Sequence, residues 1–399
     1  MRIRVKAFRL AQRATVIVTG LALTWALGAG ASAALGSPGP AQAVPGGTAP
    51  AGQAPKTAGE AFKNIQVLKD VPADQLFPSM QFIAASLGVE CNFCHVPREF
   101  DKDFKPAKQT ARKMMQMMFA INRDNFNGHR EVTCYSCHRG GTDPVGTPVI
   151  PDVEPPRSEH AEGGGPGAAP SGPTADQLLE NYLKAAGGAD AVQKITTRAE
   201  KGTLSGGMGG GNTPVEIFAK APDQRISIVH MANREMVTAY NGHEGWLSGP
   251  GGQMREMTGD DLSAAQLDAD FYFPAHLKQI FSQFRVRPPE KVGDQEAYVV
   301  LGVNPGKPPV RLYFDEKSGL LVREVRYSDT PLGRNPTQID YADYHEADGV
   351  KVPFRWTIAR PGGRFTIQVD QMQQNVPVDD AKFVKPADSG APPPKPPSP

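Results

Sequence analysis

Cys91-Asn92-Phe93-Cys94-His95 and Cys134-Tyr135-Ser136-Cys137-His138 repeat one pattern, Cys-x-x-Cys-His, and together hold all four cysteines of a 399-residue chain. Two thiols three positions apart can each add to one vinyl group of a haem, and the next residue is then held beneath the iron as an axial ligand. The same cysteines could instead form two disulfides or a four-cysteine zinc ribbon. Neither of those explains a His directly after both pairs. With 8 His in 399 residues, chance puts His at both places about 4 times in ten thousand. The spacing therefore predicts two covalently attached haem c groups on Cys91, Cys94, Cys134 and Cys137, with His95 and His138 as iron ligands.

Outward from the motifs, each is preceded by a helical pattern. Pro78 sits where a helix start tolerates it, and Met80, Ile83, Ala84 and Leu87 follow at i, i+3, i+4 and i+7. Gly88 is placed to stop that helix. A second helix is expected from about Ala107 to Arg123, with Ala111, Met114, Met115, Met118 and Ile121 along one face. Met80, eleven residues ahead of Cys91, can present its thioether to the first iron or simply fill core space. For the second iron, Met114 lies both on the face Ala111-Met114-Met115-Met118 and on the face Thr110-Met114-Met117-Ile121, with Met115 and Met117 as alternatives. His129 is either a rival ligand or an exposed loop residue.

The chain begins with basic residues (Arg2, Arg4, Lys6, Arg9, Arg13), then an apolar run from Ala14 to Leu27. That run is short for a spanning helix and is followed by small-residue cleavage candidates, so residues 1–33 read as a signal peptide, with cleavage as late as 43 also open. An extracytoplasmic protein, periplasmic or membrane-associated, is expected. A Pro/Gly/Ala-rich leader occupies 34–57, the dihaem domain 58–141, a Pro/Gly-rich linker 142–173, a β-rich domain 174–386 and a Pro-rich tail 387–399. The 42 Gly and 38 Pro concentrate in those connecting stretches. A net charge of +1 gives no reason to expect nucleic acid as a partner.

Nine stretches of alternating apolar and polar residues run from Val215 to Met372, separated by turn signals such as Asn241-Gly242 and Asp348-Gly349. Thr174 and Gln177 match a capping box ahead of an opening helix. About Asp260 to Ser282 reads as helical. An antiparallel meander with helices on one side is expected.

Two resemblances sharpen these readings. Val67-Leu68, Met80, Cys91 to His95, Ala111-Arg112-Lys113-Met114-Met115-Gln116-Met117, Ile121-Asn122 and Val132 to Gly140 resemble one half of the cytochrome subunit of photosynthetic reaction centres. The resemblance implies Met80 with His95 on the first haem iron and Met114 with His138 on the second. It also implies irons closed on both sides, hence outer-sphere electron transfer between redox protein partners, with a membrane-bound complex among them, rather than enzyme catalysis. The family's full subunit has four haems, and this chain has cysteines for two. Ala185-Ala186-Gly187-Gly188, Tyr313-Phe314-Asp315 and Asp348 to Phe354 are similar to the periplasmic lipoprotein-carrier superfamily, a curved antiparallel half-barrel with covering helices. That resemblance implies either an apolar ligand or lipid in the concave face, or a sheet that packs on its own helices. The expected fold is multidomain: a small α-helical dihaem cytochrome c domain plus a C-terminal α+β antiparallel half-barrel.

Overall fold

The structure, a computed structural model, describes residues 56–146, 172–206, 211–248 and 254–386. The expected signal peptide, most of the leader and of the linker, and the Pro-rich tail lie outside the described residues. No described helix is long and apolar enough to cross a membrane.

The N-terminal region is helical: α1 (Ala58–Ala61), a 3-10 turn (Ala73–Gln75), α2 (Leu76–Leu87), α3 (Cys91–Cys94), α4 (Pro106–Asn125) and α5 (Cys134–His138). Pro78 stands in the first turn of α2, where a backbone N–H has no partner to lose. Gly88 ends α2 in the left-handed conformation, φ 65°. The two sides of α2 have different roles. Ser79, Phe82, Ile83 and Ser86 are its buried residues. Met80, Ile83 and Ala84, the stripe read from the sequence, line a cavity beside α3. On α4 the buried residues are Lys108, Met115, Met118 and Asn122. Leu68, Phe82, Ile83, Met115 and Met118 form the core of this region.

The C-terminal region opens with α6 (Ala175–Ala185), whose Thr174–Gln177 capping box forms as expected, and α7 (Ala189–Lys194). Its strands are β1 (Thr197–Gly206), β2 (Thr213–Lys220), β3 (Gln224–Met231), β4 (Arg234–Asn241), β5 (Gly245–Ser248), β6 (Met254–Glu256), β7 (Gln283–Val292), β8 (Gln295–Val303), β9 (Val310–Asp315), β10 (Leu321–Asp329), β11 (Arg334–Ala347), β12 (Val350–Arg360) and β13 (Gly363–Gln374). They form one open 13-stranded sheet, ordered β6-β5-β4-β3-β2-β1-β13-β12-β11-β10-β9-β8-β7. Two antiparallel meanders are thus joined where β1 pairs with β13. The single helical stretch expected near 260–282 is two helices, α8 (Gly259–Ala269) and α9 (Phe273–Ile280), broken where Asp270 leaves the helical conformation.

One face of the sheet is covered by helices. Leu178, Leu179 and Tyr182 of α6 and Leu277 of α9 pack with Val300, Leu312 and Phe314. The face also buries charge: the Arg326 guanidinium lies 2.9 Å from Asp268 and 3.6 Å from Glu324. Such a pair is tolerated inside because its charges are mutually compensated.

The two regions are in contact. The turn between β10 and β11 is closed by Thr330, whose Oγ1 donates to Gly333 O at 2.7 Å. Its tip residue, Leu332, is 0% exposed and belongs to the core cluster of the helical region. Gly333 lies under the Phe82 ring so closely that a Cβ there would collide with it. Asn335 Nδ2 donates to Pro78 O at 3.1 Å, and Arg130 pairs with Asp329 at 2.6 Å.

Candidate cofactor site

Both motifs fold as single helical turns. At the first, His95 N–H closes onto Cys91 O at 3.0 Å and His95 itself leaves the helix in an extended conformation. Cys91, Cys94, His95 and Met80 all line one cavity, whose other walls include Leu68, Leu76, Ile83 and Met115. Its surroundings are mainly apolar, and burial pushes the Cys94 thiol up, only partly opposed by Lys105. Burial, aided by the Lys108 charge, lowers the pKa of His95 and keeps its ring neutral.

The His95 ring is oriented by the loop after it. Nδ1 lies 3.0 Å from Phe100 O, so it carries the proton and Nε2 is left with a lone pair, the state a metal ligand needs. The carbonyl is itself anchored. Lys108 Nζ donates to Phe100 O and Lys102 O, both at 2.8 Å, and lies 3.0 Å from Asp103. Arg112 takes the other Asp103 oxygen at 2.8 Å, and Asn64 Nδ2 donates to Asp103 at 3.0 Å. The Arg112 and Lys108 hydrogen bonds hold the Asp103 carboxyl well below the usual carboxylate range.

The second motif repeats the logic with different parts. Thr133 N–H donates to Ser136 Oγ at 3.0 Å and starts the turn. His138 Nδ1 lies 3.1 Å from Gly141 O. Asn122, buried on α4, clamps the approach: Nδ2 donates to Val132 O at 2.7 Å, and Oδ1 accepts from Glu131 N at 3.1 Å and Val132 N at 2.9 Å. Gly88 at the end of α2 meets the backbone of Gly140, whose N–H donates to Ser86 O at 2.9 Å. Neither role of Asn122 and Phe100 was read from the sequence. The Ile121-Asn122 pair belongs to the quoted resemblance, but a carbonyl acceptor has no signature in residue type.

Of the methionines on α4, Met115 is buried and lines the first cavity, whereas Met114 and Met117 are 38% and 48% exposed. Cys134 packs against the core and Cys137 is exposed. His129 is exposed in the turn after α4, and its N–H donates to Phe126 O at 2.8 Å. The two Cys pairs are not brought together. All four cysteines are free, and no group of three or more His, Cys, Asp or Glu among the described residues is placed to hold a metal ion. The four cysteines therefore form no shared metal site among the described residues. The first cavity, with two thiols one helical turn apart, a neutral imidazole with Nε2 available and a thioether, fits a covalently held haem.

A further cavity of about 1200 Å³ opens among α2, α8 and the ends of β10 to β12. Its lining mixes apolar side chains (Phe77, Met236, Leu267) with charged ones (Arg255, Arg326, Asp261).

Residues 19–165 match the family described as photosynthetic reaction centre cytochrome C subunit. The chain is 35% identical over 92 residues to the photosynthetic reaction center cytochrome c subunit of Thermochromatium tepidum, covering 22% of each protein. It is 34% identical over 82 residues to cytochrome c-554 of Chloroflexus aurantiacus, covering 19% of this chain and 20% of that one. The chain thus spans about a fifth of the length of these curated relatives. Among solved structures, a DUF1329 family protein from Desulfovibrio piger aligns with a TM-score of 0.37 and 14% identity, over 52% of this chain and 96% of that one. A LolA superfamily protein from Nitrosomonas europaea aligns with a TM-score of 0.36 and 16% identity, over 54% and 99%. The N-terminal segment therefore resembles c-type cytochromes, as its motifs suggested.

Proposed function

We propose that this protein is an exported dihaem c-type cytochrome that performs outer-sphere electron transfer between extracytoplasmic redox proteins, some of them in membrane-bound complexes. The observation that carries the reading is the first cavity, where Cys91, Cys94, His95 and Met80 converge and His95 has its Nδ1 tied to a backbone carbonyl. Haem c held there supplies a one-electron ferric/ferrous couple. Cys91 and Cys94 would hold the macrocycle, and His95 and Met80 would serve as ligands to its iron. His138 and Met114 take the corresponding roles at the second motif, with Met117 on the same exposed side of α4. Thioether ligation would favour ferrous iron relative to two His, and an iron ligated by both a His and a Met would have no position free for a substrate.

The test is replacement of Met80 by Ala. The weak far-red sulfur–iron band of one haem should vanish and its potential should fall. An unchanged band and potential would make Met80 a packing residue. The same substitution at Met114 and Met117 identifies the second ligand.

A second reading, an apolar-ligand or lipid-binding protein with a haem domain as redox sensor, is favoured by the large cavity beside α8. Against it, part of the helix-covered face is occupied by side chains of α6 and α9. Lipid recovered from the purified protein would support this second reading.

A further inference from the structure

We infer that Lys108 is a positioning residue that raises the reduction potential of the first haem, by sharing with His95 the carbonyl oxygen of Phe100. The inference rests on the proposed ligation of an iron by His95.

Lys108 is an unusual core residue: it lies on the buried side of α4 and is 9% exposed. Its ammonium donates to Phe100 O at 2.8 Å, the oxygen that lies 3.0 Å from His95 Nδ1. One acceptor therefore serves a cation and the proposed iron ligand together. The second motif differs. Its His138 Nδ1 faces Gly141 O at 3.1 Å, and no Lys or Arg among the described residues hydrogen-bonds that oxygen.

The sign follows from ligand electronics. An imidazole that donates through Nδ1 to a strong acceptor becomes more basic at Nε2 and stabilises ferric iron. An ammonium on the same oxygen draws its electron density away and weakens it as an acceptor. The positive charge also disfavours the extra charge of ferric iron through a partly buried, low-dielectric path. Both effects favour ferrous iron at the first haem. Asp103 works the other way, because its carboxylate lies 3.0 Å from Lys108 and 2.8 Å from Arg112 and offsets both charges.

The experiment is a spectroelectrochemical titration of the full holoprotein, following both haems, for the wild type, Lys108→Met, Lys108→Arg and Asp103→Asn. Lys108→Met should shift the ferric/ferrous equilibrium of one haem about tenfold towards ferric, about 59 mV for a one-electron couple, and leave the other unmoved. Lys108→Arg should restore most of the wild-type value. Asp103→Asn should move the same haem in the opposite direction. Opposite signs at one haem are not produced by general loosening of the fold. The inference is overturned if the potentials stay put, if both haems move together, or if Lys108→Met and Asp103→Asn shift the potential the same way. Should Lys108→Met lose its haem, Asp103→Asn decides alone: a rise at one haem supports the inference, and no change overturns it. A wild-type protein with fewer than two haems overturns the proposed function itself, whereas two haems with flat potentials overturn only this inference.

Discussion

His95 and His138 each send Nδ1 to a carbonyl a few residues downstream, at Phe100 and Gly141, so two short loops decide how both rings face. The Cys and His positions were legible in the sequence because thiol attachment requires a fixed spacing. The carbonyl partners were not, since any residue supplies a carbonyl and only the loop path selects which one. Asn122 is a related case. Its single side chain satisfies three backbone groups of residues 131 and 132, just ahead of Cys134. Replacing it with Ala leaves three part-buried backbone groups without this partner, at no more than about 1–3 kcal/mol each. Thermal unfolding of Asn122→Ala should show a clear loss of stability, and amide exchange at 131–133 should accelerate. Unchanged exchange there would mean that the clamp carries no strain-bearing role. Between the α4 methionines, the exposed Met114 and Met117 are the pair whose replacement should alter the second haem. Met115, buried on the first cavity, should instead affect stability and the first haem.

At the scale of elements, the end of α2 positions the second motif. Gly88 has a positive φ, and a Cβ there would collide with the carbonyl of Gly140. Gly88→Ala combines left-handed strain with that collision. It should lower the melting temperature and perturb the spectrum of the haem at Cys134–His138 more than the other; equal perturbation of both would contradict this account. The loop that carries Phe100 is pinned by Asp103, whose native pKa is depressed by Arg112 and Lys108. A depressed carboxyl stabilises above its ordinary value of about 3.9 and loses that contribution as pH falls through the lower native value. The protection of amides 99–103, corrected for the intrinsic pH dependence of exchange, should therefore fall on acidification below about pH 4, and Asp103→Asn should show low protection already at neutral pH. Most central strands were legible from alternation. Four were missed for identifiable reasons. β1 buries Glu200 on the covered face, which breaks the apolar pattern. β5 and β6 are only four and three residues long. β7 contains Pro288 and Pro289, tolerated because it is an edge strand with an irregularity between Arg287 and Glu290.

For the whole molecule, the helical and β-rich regions share a core. Leu332 reaches from the β10–β11 turn into the cluster of Phe82, Ile83, Met115 and Met118. A lone apolar residue at a hairpin tip has no periodicity to betray its burial. Leu332→Ala removes a side chain with no exposure and should cost about 2–5 kcal/mol, read as a lower melting temperature with faster exchange in α2. Loss confined to the hairpin would contradict a shared core. The contact also places the sheet next to the helix that carries Met80, so the potential of the first haem should respond to Leu332→Ala while haem content stays constant. All of this depends on haem at both motifs. The most direct measurement is a pyridine haemochrome spectrum of denatured protein, normalised to chain concentration: c-type haem at two per chain is the predicted result, and any other stoichiometry contradicts the account.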